Sequence, residues 1–152
     1  MASPKMAFEK TSNELKSEHA EMIRRLTQLD AALESLICYE EVFADLAGVG
    51  PAQEMARWLA VRLPDHFLRE ETGILAAISR RGPQDAVFSQ EMKRQHQEIA
   101  RHLEAFRRAA DAFQTADDLQ QSVRDLKEEG RALSRFMTAH MCAEEHKYST
   151  LK

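Results

Sequence analysis

Four segments of this chain carry apolar residues at spacings of three and four, and each of the four stripes contains one histidine. The first stripe is Leu15, His19, Met22, Leu26, Leu29, Leu33 and Leu36. The second is Met55, Leu59, Leu63, His66, Glu70, Ile74 and Ala77. The third is Met92, His96, Ile99, Leu103, Phe106, Ala110 and Phe113. The fourth is Leu119, Val123, Leu126, Gly130, Leu133, Met137, His140 and Glu144. This period places the residues of each stripe on one side of a helix, the side that must be buried. Breakers separate the segments at Gly48-Val49-Gly50-Pro51, Arg81-Gly82-Pro83 and Thr115-Ala116-Asp117-Asp118. Ser12, Asp85 and Asp117 or Asp118 are candidate N-caps, and Pro64 should kink the second helix or start a new one. No stretch alternates as a strand does. The expected fold is therefore all-α, an antiparallel up-down four-helix bundle, with residues 1–152 forming a single domain.

Helix lengths test that arrangement. The arms from His66 to Gly82 and from Pro83 to His96 are 16 and 13 residues long, and those flanking the third connection are 19 and 22. At about 1.5 Å per residue, each pair agrees to within about a turn. The first connection does not balance: 29 residues separate His19 from Gly48, but only 15 separate Pro51 from His66. The surplus between about Cys38 and Gln53 predicts an overhanging helix end or a short extra helix, with Phe43 and Leu46 covering the end of the bundle. Cys142 falls near the level of the histidines and Cys38 about 28 Å away, so a disulfide between them is not expected.

The stripes also carry the chemistry. His66 and His140 are each followed four residues later by a glutamate, in two His-x-x-x-Glu-Glu runs on alternate helices. A spacing of four brings both side chains to one face. A lone histidine on an apolar stripe is ordinarily a satisfied core residue, and a lone His–Glu pair contributes only about 0.2–0.5 kcal/mol. Two glutamates facing a core are different, because burying an unpaired carboxylate costs on the order of several kcal/mol. No lysine or arginine lies within the stripes to neutralise them. Metal ions would supply that charge, and imidazole with carboxylate suits iron, manganese or zinc. Two divalent ions carry more positive charge than Glu70 and Glu144 offset, which leaves room for a bridging hydroxide or oxide.

The ordered set His19, His66-Phe67-x-x-Glu70-Glu71, His96, His140-x-x-x-Glu144-Glu145 resembles the hemerythrin-like (HHE cation-binding) domains over nearly the whole chain. The resemblance implies two Fe ions in an oxo- or hydroxo-bridged di-iron centre, with Glu70 and Glu144 bridging and the four histidines as terminal ligands; zinc or manganese are the alternatives. Respiratory hemerythrins carry a fifth histidine four residues after the one matching His96, and this chain has Ala100 there. His102 and His146 lie off the stripes. Two histidines, two carboxylate oxygens and a bridging oxygen then leave one position open on each metal, which moves the expectation away from simple oxygen carriage.

The function implied is a non-haem di-iron protein that binds or senses a small oxidant: O2, NO or peroxide. The alternatives are a di-iron oxidoreductase or iron-centre repair protein, and an interaction bundle with zinc or no metal in its core. Glu71 and Glu145 either orient histidines or serve as surface charge, Tyr148 either donates to Glu144 or packs the helix end, and Gly130 either permits close helix approach or leaves a channel. Trp58 is read as core or partly exposed. The patterns of ferritin-like carboxylate proteins, His-Glu-x-x-His metalloproteases and Gly-rich phosphate loops are absent from the sequence. A net charge of −4 gives no attraction to nucleic acid or anionic membrane, and the basic run Lys93-Arg94, Arg101 and Arg107-Arg108 lacks interleaved aromatics. Two distant cysteines, no secretion signal and no long apolar run make a cytoplasmic location the expectation.

Overall fold

The computed structural model describes residues 4–40 and 43–151. Helix α1 spans Pro4–Glu34. Strands β1 (Ile37–Tyr39) and β2 (Phe43–Asp45) follow, then α2 (Val49–Arg69), a π-helical turn over Glu70–Ile74, and α3 (Leu75–Ser79). Helices α4 (Pro83–Ala112) and α5 (Leu119–Ser149) complete the chain. The rod formed by α2, the π turn and α3 stands beside α1 and α4, and α5 stands beside α4 and α1. The result is a bundle that is almost wholly helical, as the four stripes require.

The differences from expectation are local. Ser12 caps nothing: α1 begins two turns earlier, and Ser12 is buried inside it. Asp85 lies within the first turn of α4, where it pairs with Lys147 and Arg81. Gly82 precedes that helix, with Pro83 at its start, where a missing N–H is harmless. Asp118 does cap α5, accepting from the Gln121 amide at 3.1 Å. Helix α2 runs through Pro64 without a new start. The departure from α geometry comes six residues later in the π turn, where Leu75 N–H reaches back to Glu70 O. The wider turn changes which residues face inward after it: Leu75 and Ile78 enter the core, and Ala77 is only half-buried.

The surplus between α1 and α2 is not helical. Ile37-Cys38-Tyr39 pairs antiparallel with Phe43-Ala44-Asp45, Cys38 facing Ala44. Glu40 enters the intervening turn with φ 49°. Aromatic and β-branched residues suit so short a ladder, but the register places Phe43 outward, 58% exposed, while Leu46 packs on the core. Cys38 and Cys142 are both free thiols. Close approach, not a channel, explains Gly130: a Cβ there would lie 2.5 Å from Leu33 Cδ1 and 3.2 Å from Phe106 Cε2. Trp58 is half-buried beneath the Arg25 guanidinium.

The apolar core has two parts. The larger contains Met22, Leu26, Leu59, Ile99, Phe106, Leu126 and Met137; the smaller contains Leu15, Ile74, Leu75, Ile78, Met92 and Tyr148. Along α1, His19 lies between Leu15 and Met22, and along α4, His96 lies between Met92 and Ile99. Glu70 and Glu144 hold the corresponding places on their own rods. A layer of histidine and glutamate thus divides the core, shielded by hydrocarbon on both sides. Among the described residues, no helix is long and apolar enough to cross a membrane.

Candidate metal centre

All six stripe residues with ligand chemistry meet in that layer. His19, Glu70 and Glu144 are fully buried, and His66, His96 and His140 nearly so. The rings fall into two pairs, His19 with His66 and His96 with His140, each with ring centroids 4.9 Å apart. Glu70 divides its oxygens between the pairs. Its Oε1 lies 3.0 Å from His19 Nε2 and 3.2 Å from His66 Nε2, while its Oε2 lies 3.1 Å from His96 Nε2. Glu144 does the same in reverse: Oε1 is 3.1 Å from His140 Nε2 and 3.4 Å from His96 Nε2, and Oε2 is 3.4 Å from His19 Nε2. Two groups can each hold an ion: His19, His66 and Glu70, and His96, His140, Glu70 and Glu144.

The spacings fit that use. Two ligand atoms each about 2.1 Å from one ion, and at right angles, stand about 3.0 Å apart. The hydrogen bonding fits as well. His96 Nε2, His140 Nε2, Glu70 Oε2 and both Glu144 oxygens are buried without a hydrogen-bond partner, although they lie close to one another. Such orphaned groups are costly in a core, and a cation bonded to all of them removes the cost.

Behind each ring stands a second oxygen. His66 Nδ1 donates to Glu18 Oε2 at 2.6 Å, His96 Nδ1 to Glu71 Oε1 at 2.8 Å, and His140 Nδ1 to Gln95 Oε1 at 2.9 Å. Glu145 Oε1 faces His19 Nδ1 at 3.5 Å, beyond a well-formed hydrogen bond. The supports run around the bundle in one direction: α1 supports the ring on α2, the π turn the ring on α4, α4 the ring on α5, and α5 the ring on α1. Each support is the sequence neighbour of one of the six layer residues, so it points to the edge of its helix, where the next rod stands. Gln95 Nε2 donates to Glu91 at 2.9 Å, which leaves its Oε1 for His140. An acceptor at Nδ1 fixes the proton there and presents the Nε2 lone pair to a metal.

Without a cation in the layer, protons on His96 and His66 answer the carboxylates. Burial disfavours charge on His96, but the Glu144, Glu70 and Glu71 carboxylates outweigh it and push its pKa up to about 10. His66 is raised in the same way, burial being overcome by Glu70 and Glu18. Burial alone would raise Glu70, yet the His19, His66 and His96 rings that face it hold it far below the usual carboxylate range.

The profile of the hemerythrin HHE cation binding domain matches residues 10–151. The chain belongs to this family. No curated protein and no solved structure matches it. In this HHE domain Ala100 is exposed. His102 packs beside Phe136, and His146 is exposed. Glu71 holds the His96 ring through Nδ1, whereas Glu145 only faces His19 without a formed hydrogen bond. Glu18 and Gln95, which hold the His66 and His140 rings through Nδ1, are partners that sequence reasoning missed. The available signal was their adjacency to His19 and His96, the counterpart of Glu71 and Glu145 beside the glutamates. The arginines on α4 form no free basic face, because Arg94, Arg101, Arg107 and Arg108 each pair with a glutamate one turn away.

Proposed function

We propose that this HHE domain is a non-haem di-iron protein that binds or senses a small oxidant (O2, NO or peroxide) at a centre of four histidines and two glutamates. The carrying observation is the division of oxygens: each of two fully buried carboxylates turns one oxygen to each histidine pair. In this reading His19 and His66 hold one iron, His96 and His140 hold the other, and Glu70 and Glu144 bridge them. An iron pair supplies redox electrons and open coordination positions. The chain's own residues orient the rings through Nδ1, neutralise charge with two carboxylates, and exclude water with apolar layers above and below. Phe67, stacked 4.0 Å from His96 at 10°, belongs to that shield. The donor set also suits zinc or manganese; iron follows from the sequence resemblance.

We read the rods as an up-down bundle within one domain of residues 1–152. Support comes from the opposite order of contacts on neighbouring rods: Glu34 meets Arg131 while the earlier His19 meets the later Glu145, and Gln53 and Asp85 near the starts of α2 and α4 meet Ala110 and Lys147 near the ends of α4 and α5. Two free thiols and a net charge of −4 support a cytoplasmic protein whose partner is a small diatomic or peroxide ligand, not nucleic acid or membrane.

Metal analysis with an optical spectrum tests the reading. The aerobic protein should contain two irons per chain and show the absorption of an oxo-bridged pair, and His66→Ala and His140→Ala should each lose metal. Fewer than one metal ion per chain, unaffected by those substitutions, refutes it. Stopped-flow mixing with NO or peroxide then separates a stable adduct, expected of a binding protein, from turnover, expected of an oxidoreductase.

A further inference from the structure

A pocket of about 400 Å³ opens between the first turns of α1 and the last turn of α5. Exposed Glu9 and Asn13 stand at its rim beside Lys16, and buried Ser12 and Tyr148 form its floor. Tyr148 is 3% exposed, and its hydroxyl is buried without a hydrogen-bond partner. It lies one turn beyond Glu144 on the same face of α5, so its ring separates the pocket from the histidine–glutamate layer. The Glu144 and Glu70 carboxylates are the charged groups that face it.

We propose that this pocket is the entrance to the metal centre for a small anionic or diatomic ligand, and that Tyr148 closes its inner end and donates a hydrogen bond to the ligand that arrives. This inference rests on the di-metal reading of the layer. Three observations carry it. Buried phenols ordinarily find a partner, and this one forms no hydrogen bond among the described residues. Glu70 and Glu144 are the polar groups beside it, and carboxylates committed to metal leave its proton for a third group. The opposite side of the layer is filled by Met22, Phe67, Ile99 and Met137, with no polar hydrogen-bond donor among those side chains. The pocket lined by Glu18, Trp58 and Arg69 is separated from His66 by Glu18, which stands on the Nδ1 side of that ring.

Azide binding to the aerobic, iron-loaded protein tests this, followed through the charge-transfer band of the adduct. Tyr148→Phe should keep both irons per chain and the wild-type melting temperature, yet bind azide about tenfold more weakly with a shifted band. Asn13→Trp at the rim should slow association several-fold with little change in affinity. Val61→Trp, on the exposed side of α2, should change neither. Wild-type affinity and band position in Tyr148→Phe, or an unchanged association rate in Asn13→Trp, overturns the proposal. A wild-type protein that takes up no metal overturns the di-metal reading itself, whereas two bound irons with an indifferent Tyr148 overturn only the entrance.

Discussion

Replacing Glu71 by leucine probes the supports behind the rings at one of the two carboxylates that accept from an Nδ1. Glu71 Oε1 accepts from His96 Nδ1 at 2.8 Å, and the glutamate is 35% exposed. A hydrogen bond to a charged acceptor is worth about 1.5–3 kcal/mol. Partial exposure places Glu71 in the lower half of that range, about 1.5–2 kcal/mol. Metal affinity should therefore fall about 10–30-fold. Glu71→Gln keeps an acceptor but loses its charge, so it should fall about 3–10-fold. Glu145 faces His19 at 3.5 Å and is 39% exposed, so Glu145→Leu should cost less than either Glu71 variant. Competition titration against a chelator of known affinity measures all three, with melting of the metal-free proteins as a check on folding. Equal losses at Glu71 and Glu145, or no loss in Glu71→Leu, would refute the idea that Nδ1 supports tune the centre.

Stability should depend on pH differently with and without metal. The His96 pKa is raised from 6.5 to about 10, so its contribution to the metal-free fold is complete below about pH 6.5 and is lost as pH rises through about 10. Melting temperatures of the metal-free protein should fall across that window; a flat profile speaks against a protonated His96. Because metal displaces those protons, uptake should release protons, seen as a calorimetric enthalpy that varies with the buffer. Chelation from a protein holding metal at about 1,000 times Kd removes about 4 kcal/mol, or about 8–16 °C for a chain of this size, and an unchanged melting point would contradict a folded-state site. Gly48→Ala places a Cβ 2.1 Å from the backbone oxygen of Ala32. A backbone atom cannot rotate aside, so the change should destabilise by about 1–3 kcal/mol in denaturant melts without altering metal stoichiometry.

Local sequence sufficed for the four helices and for the inward direction of the four histidines and two glutamates. Helical period is a local property: His66 and Glu70, or His140 and Glu144, share a face because of backbone geometry alone, whatever stands opposite. Charge carried the inference further, since two glutamates among leucines require a cation. Only the tertiary structure decided what each face meets. It paired His19 with His66 and His96 with His140, split each carboxylate between the pairs, and set Glu18 behind His66 and Gln95 behind His140. Those partners lie 48 and 45 residues apart, and no period within one helix encodes the neighbour across an interface. The β1–β2 hairpin escaped for a related reason. Its three-residue strands are too short for an alternation signal, and arm lengths reveal a surplus of chain without its conformation. Tyr148 shows both limits together: its face followed from Glu144, but the pocket beside it exists only where α1 and α5 are packed.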